Sequence, residues 1–224
     1  MNILALDSST EACSVALLTD QNVSEKFAII GRGHAEHLLP MIENLLDENG
    51  ATLEDIDLFA YGAGPGSFTG LRIGAAMMQG LALARECKLV AVSSLAALAS
   101  RWRGQVLSVI DARMEQVYSG LYRVGDNLQT ELLGEVAVSS PEEIHLPEEA
   151  KIIVAGSGWD RYKDQFCQMQ TEKRKITGVA GQYPHAADVA RLALHEFVQG
   201  KVTDPAEALP QYIRNKVAKK MTEI

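Results

Sequence analysis

The sequence predicts an α/β protein made of two duplicated βββαβα half-domains with mixed central sheets. Three observations predict it. The chain opens as short apolar runs separated by turn residues, strand-like and helix-like segments then alternate, and the whole order begins again after Gly104. The expected division is residues 1–104 and a smaller second half-domain, 105–224.

Asn2 to Leu6, Cys13 to Leu18 and Val23 to Ile30 read as three strands, the last two separated by the turn Asp20-Gln21-Asn22. A helix is expected from about His34 to Asn49, closed by Gly50, with a wide apolar stripe through Leu38, Met41, Ile42, Leu45 and Leu46. Pro40 should bend it unless it begins near Leu38. Ile56 to Tyr61 is a buried strand, which Gly62 to Gly66 are expected to break. Ser67 is the N-cap of a helix through Arg85 that is apolar on nearly every side. No solvated face can be drawn on that helix, so it must be covered on both flanks, of which its own sheet supplies one. Gly70 and Gly74, four apart with Ala75 and Met78 beside them, would let a second helix approach its backbone. A strand at Leu89 to Val92 and a short helix opened by Ser93 or Ser94 close the first half.

In the second half, Val106 to Asp111, Gln116 to Arg123, Leu128 to Val138 and Ile152 to Ala155 repeat the strand order. Gly156-Ser157-Gly158 echoes Gly62-Ala63-Gly64. The segment 139–150 holds only a short helix at Ser140-Pro141. A helix near Asp160 to Gln170, a polar loop to Pro184 and an amphipathic helix from His185 to Gln199 follow. Pro205 to Ile224 begins irregular and is free to pack back on the first half.

Composition bounds the function. With 47% hydrophobic and 22% charged residues the chain shows no sign of disorder, and no apolar run is long enough to cross a bilayer. Met1 to Leu6 lacks a basic flank and meets Asp7 at once, so a strand in a cytoplasmic protein is expected rather than a signal peptide. The three cysteines, widely spaced and without a Cys-x-x-Cys pair, read as reduced residues. A formal net charge of −8 repels phosphate, which argues against a stand-alone nucleic-acid binder. The one basic cluster, Arg214, Lys216, Lys219 and Lys220, reads as a solvated tail.

First strands that both end in aspartate would bring Asp7 and Asp111 to one cleft, the layout of the actin and sugar-kinase superfamily (ASKHA, RNase H-like). There a glycine two residues on lets the backbone touch phosphate. Here Ser9 and Arg113 stand at those places, so Asp7, Ser9, Thr10, Asp111 and Arg113 read as a degenerate nucleotide cleft, with no cofactor expected. His34 and His37 share a helix face, but a zinc site needs a third ligand and none is near in sequence, so no metal is expected. Gly62-x-Gly64-x-Gly66 lacks a Walker lysine, and the nucleophile-elbow pattern fails around Ser67.

Gly64-Pro65-Gly66-Ser67-Phe68-Thr69-Gly70-Leu71-Arg72-Ile73-Gly74, together with Leu6-Asp7-Ser8-Ser9-Thr10, resembles the bacterial TsaB (YeaZ) family. Asp111-Ala112-Arg113-Met114-Glu115-Gln116-Val117-Tyr118 and Pro210-Gln211-Tyr212-Ile213-Arg214 look like its later signatures. The resemblance implies an actin-like, non-catalytic paralogue of TsaD, the enzyme that places a threonylcarbamoyl group on the adenosine after the anticodon of tRNAs reading codons that begin with A. It implies a four-helix bundle with TsaD, a third protein in the ATPase TsaE, a homodimer when TsaD is absent, and tRNA met only through the complex. His34-x-x-His37 departs from TsaD's His-x-x-x-His. On this resemblance the contact surface is expected at His34, His37, Leu38, Met41 and Leu45 with Phe68, Leu71, Arg72, Gly74, Ala75 and Met78. The alternative is an enzyme acting alone, either a metal-dependent glycoprotease-like peptidase or an ATPase.

Overall fold

The computed structural model describes residues 1–20, 22–126 and 129–213. Gln21, Asn127 and Leu128, from two expected turns and the start of an expected strand, lie outside the described residues, as does the basic cluster from Arg214 onward.

The chain opens as an antiparallel meander of β1 (Ile3–Asp7), β2 (Ala12–Leu18) and β3 (Val23–Ile29). After α1 (His34–Glu48), β4 (Leu58–Gly64) returns parallel to β1. α2 (Phe68–Ala84) crosses to β5 (Lys88–Ser93), which completes a five-stranded sheet of order β3-β2-β1-β4-β5, and α3 (Ser94–Ala99) follows. The second sheet repeats the plan. β6 (Gly104–Arg113) and β7 (Gln116–Val124) form a hairpin, and β8 (Thr130–Leu132) and β9 (Ala137–Ser139) both pair with β7. β10 (Ala150–Ala155) lies parallel to β6, and after α4 (Ser157–Gln168) β11 (Arg174–Val179) lies parallel to β10. Its order, β11-β10-β6-β7-β8, is that of the first sheet read from the opposite edge. α5 (Ala186–Val198) comes last.

Three differences from the sequence reading have physical causes. The expected third strand of the second half is two strands, because Gly134 turns the chain at φ 94° between them. The polar loop after α4 contains β11, an edge strand whose Lys175 is exposed, whose half-buried Arg174 donates to the carbonyls of Met169 and Leu146, and whose Gly178 admits the ring of Trp159, which a Cβ there would overlap. α1 starts at His34 as expected and includes Pro40, which lies on its exposed side. β4 is not broken at Gly62. It continues to Gly64 with a register shift between the two glycines, and Gly62 is needed because a Cβ there would overlap the Asp7 carboxylate.

Both faces of both sheets are covered, which is why β1 and β4 are continuous apolar runs rather than alternating ones. α1 and α2 bury Leu38, Ile42 and Met78 against Leu4, Leu6 and Tyr61 on one face of the first sheet. On its other face, Val189, Ala190 and Ala193 of α5 pack on Ile3, Ala5, Leu58 and Ala60. α3 serves both sheets, with Ala97 towards the first and Leu95 and Leu98 against Val106, Ile110 and Tyr122 of the second. α4 covers the far face of the second sheet through Trp159 and Phe166. Thus α5, although it follows the second sheet in sequence, belongs to the core of the first.

Beyond α5 the chain runs back along the first half as a strap. Thr203 bridges Leu89, Ala208 enters the core beneath α2, the Tyr61 hydroxyl donates to the Leu209 carbonyl at 3.1 Å, and Gln211 N–H donates to the Ala63 carbonyl at 2.8 Å. No helix among the described residues is long and apolar enough to cross a membrane.

Candidate partner surface and interdomain cleft

The two hairpin tips meet across a cleft of about 370 Å³ whose walls include Ser9, Thr10, Glu11, Asp111, Arg113, Tyr118 and Tyr212. Asp7 is not among them. Its carboxylate is sealed beneath the first hairpin, 1% exposed, and accepts from Ser9 N–H at 2.8 Å, Ser9 hydroxyl at 2.6 Å and Ser94 hydroxyl at 2.8 Å. Burial pushes this carboxyl above the usual aspartate range, and the Ser9 and Ser94 bonds pull part of the way back. The expectation that Asp7 lines the cleft is therefore corrected, since the close fit over Gly62 holds it in the core.

The second hairpin repeats the device at the cleft wall, with Asp111 half-buried. Arg113 N–H donates to Asp111 Oδ1 at 2.9 Å, the Arg113 guanidinium to Oδ2 at 3.1 Å, and Arg161 stands 3.6 Å from Oδ2. Arg113, Met114 and Glu115 hold φ of 61°, 54° and 59°, a run of left-handed residues without glycine. In both hairpins the N–H two residues beyond the aspartate is bonded to that aspartate. Those are the donors a phosphate-binding hairpin would turn outward, so the departure at Ser9 and Arg113 is one of hydrogen bonding as well as bulk. Ser9 also accepts from Ser67 N–H at 2.6 Å, which closes the α2 loop onto the first tip.

The two histidines serve different ends. His34 is buried, and its Nε2 donates to the Thr10 carbonyl at 2.9 Å, bracing the first hairpin from below. His37 is exposed and bonds the Gly33 carbonyl through Nδ1 at 2.9 Å. Among the described residues no three His, Cys, Asp or Glu side chains gather in a group able to hold a metal ion.

Of the eleven residues expected at a contact surface, His34, Leu38, Leu45, Leu71, Gly74, Ala75 and Met78 are buried in this chain's own core. The glycine seam explains why they face inward. A Cβ at Gly70 would overlap the Ser8 carbonyl and one at Gly74 the Ser8 hydroxyl, so the seam admits the first hairpin rather than a second helix. Met41 is half-buried, and His37, Phe68 and Arg72 are exposed. Arg72 lies over the Phe68 ring, 3.5 Å from its centroid, and donates to the Tyr212 hydroxyl at 2.8 Å, pinning the strap at the start of α2.

α2 nevertheless has a bare flank, one register round. Ile73, Ala76, Met77, Gly80, Leu83 and Ala84 are exposed or half-buried on one side of the helix; Leu83 is 51% exposed, and among the described residues nothing lies within 4 Å of where a Cβ at Gly80 would be. Ala76, Gly80 and Ala84, each four residues from the next, repeat the small-residue spacing of Gly70 and Gly74 on this outer side. The sequence signal for them was present and was masked by the inner pair.

A family model described as TsaD, tRNA N6-adenosine threonylcarbamoyltransferase, matches residues 27–221. The chain is 38% identical to the tRNA threonylcarbamoyladenosine biosynthesis protein TsaB of Escherichia coli K12, over 97% of this chain and 96% of that one. It is 36% identical to the protein of the same name from Haemophilus influenzae, over 97% and 95%. Among solved structures, YeaZ from Pseudomonas aeruginosa superposes with a TM-score of 0.85 at 40% identity, covering 94% of this chain and 99% of that one. A second, described as an uncharacterized protein with similarity to peptidase YEAZ from Pseudomonas aeruginosa, gives 0.86 at 40% identity, covering 95% and 99%.

Proposed function

The chain belongs to the TsaB family of tRNA threonylcarbamoyladenosine biosynthesis proteins, and from that membership we propose that it serves as a non-catalytic subunit docked on the catalytic paralogue TsaD. Its part in tRNA threonylcarbamoyladenosine biosynthesis follows from the family. The subunit role rests chiefly on one observation, the bare apolar flank of α2. A helix that packs its inner side on its own sheet and carries Ala76, Gly80 and Ala84 outward is shaped for a close helix partner. His37 and Met41 of the neighbouring α1 extend that surface. The homodimer of the lone chain uses the same flank, TsaE joins the assembled pair, and tRNA is met through the complex.

The reading as an enzyme acting alone has less support. Both hairpin N–H groups that would hold a phosphate are taken by Asp7 and Asp111, and His34 is directed into the core. The test is co-purification with TsaD, followed by a threonylcarbamoylation assay with each component omitted in turn. Modification should require this chain, and the chain alone should hydrolyse neither ATP nor peptide. Hydrolysis by the lone chain, or full modification without it, would overturn the subunit reading.

A further inference from the structure

On the side of the first sheet away from α2, the start of β3, the end of α3 and the first turns of α5 enclose a depression of about 520 Å³. At its centre is Asp188 of α5, 8% exposed. Its Oδ1 accepts from the Arg191 guanidinium at 2.8 Å, and its Oδ2 stands 3.8 Å from Arg101 Nε. The other carboxylate there, Glu25, is fully engaged, accepting from the α5 first-turn N–H of Ala187 at 3.0 Å and pairing with His185 at 2.8 Å. Two guanidiniums thus share one buried aspartate. Each guanidinium carries five N–H donors, and among the described residues Asp188 engages one nitrogen of each. The two side chains line the depression and are 35% and 51% exposed, so their remaining donors are within reach of a ligand. Asp188 thus accepts from Arg191 and stands within ion-pair distance of Arg101, and the exposed donors that remain on the two guanidiniums can hold a tetrahedral anion.

We propose that Arg101 and Arg191, held in place by Asp188, bind a phosphate group, and that in the assembled system this is a backbone phosphate of the tRNA. The tRNA assignment rests on the subunit reading above; the phosphate site does not. Because the whole-molecule field opposes RNA, the contact registers when TsaD supplies the rest of the tRNA surface.

Two arms separate the sources. In the first, the lone chain is titrated with inorganic phosphate and followed by amide NMR, with shifts expected around Asp188 that vanish in Arg101→Gln/Arg191→Gln. In the second, tRNA affinity of the chain mixed with TsaD is measured against salt. The double variant should bind about tenfold more weakly and lose about one unit of the salt slope. Arg101→Lys/Arg191→Lys should keep the slope while losing affinity, and Lys163→Gln on exposed α4 should change neither. Circular dichroism and binding to TsaD check the fold, and single Arg101→Gln, which leaves Asp188 paired with Arg191, stands in if the double variant is unfolded. Phosphate shifts with unchanged tRNA binding would reassign the site to a small anion and overturn the RNA contact. Unchanged results in both arms for a folded variant would overturn the site itself. If TsaD fails to bind even the parent chain, the subunit reading falls while the phosphate arm still reports.

Discussion

At Gly62 a single methyl group decides whether the first hairpin closes. A Cβ there would meet the Asp7 carboxylate and the Ser94 hydroxyl together, so Gly62→Ala must either displace Asp7 from its serine donors or part β4 from β1. The expected loss is about 2 to 4 kcal/mol, read in urea titrations as a lower midpoint at unchanged slope. Asp7 and Glu25 should oppose one another in the pH dependence. Asp7 is raised by burial, so its contribution is present below the unfolded value and is lost as pH rises through the folded one. Asp7→Asn removes that loss, and its stability relative to the parent should improve as pH climbs from about 4 towards neutrality. For Glu25, burial pushes the carboxyl up, but the bonds from His185 and Ala187 N–H, with the charges of His185 and Arg101, together outweigh it and hold it below the usual range. Its contribution is present above the unfolded value and lost as pH falls through the folded one. Glu25→Gln should therefore cost most near neutrality, with the gap from the parent closing in acid. Melts of both variants across the acid range check the two signs; parallel curves would refute them.

Helix α2 carries a buried side and a bare side within one element, and the proposed contact surface is the bare one. Met78→Ala empties a fully buried site and should cost about 2 to 5 kcal/mol of folding stability, with partner binding preserved in the folded fraction. Ala76→Glu and Gly80→Glu place a charge on the bare flank, where both residues are exposed and no described atom lies within 4 Å of a Cβ at Gly80. They should leave the melting curve within about 0.5 kcal/mol and weaken the homodimer and TsaD binding more than tenfold, as an unpaired charge becomes buried. Light scattering behind size exclusion, with circular dichroism, distinguishes the two outcomes. The same helix shows how far sequence carries. Its limits and its Ser67 cap were legible, because they depend on local chemistry, while the expected cover on two flanks is met within this chain on one side only. Which of two small-residue seams faced inward was not, since that turns on Ser8 and Leu6, sixty and more residues upstream. β11 was missed for a related reason. The segment reads as a polar loop until Trp159 of α4 is seen lying over Gly178. The cleft was half legible: the doubled aspartates announced it, but the burial of Asp7 is a tertiary fact.

Across the whole molecule, chain order and spatial order disagree. α5 and the strap beyond it come after the second sheet, yet they cover the inner face and one edge of the first. Residues 1–104 produced alone would leave Ile3, Ala5, Leu58 and Ala60 without α5, and the fragment should show no cooperative thermal transition. Adding the missing C-terminal part in trans should restore one; a fragment that melts sharply by itself would refute the dependence. Tyr212→Ala tests the strap more gently. It removes the partner of Arg72 at the start of α2, and the expected cost is about 1 kcal/mol with the fold intact.

The late arrival of α5 also sets a clock on the ribosome. The first sheet is complete in the nascent chain once β5 has been made, but its inner apolar face stays uncovered while the whole second sheet is translated. At about 5 to 20 residues per second that interval is on the order of ten seconds. The second sheet, by contrast, meets α3 already made. The nascent first half is therefore the species with sticky surface on display, and pauses placed before α5 should lower the soluble yield while pauses placed after it should not.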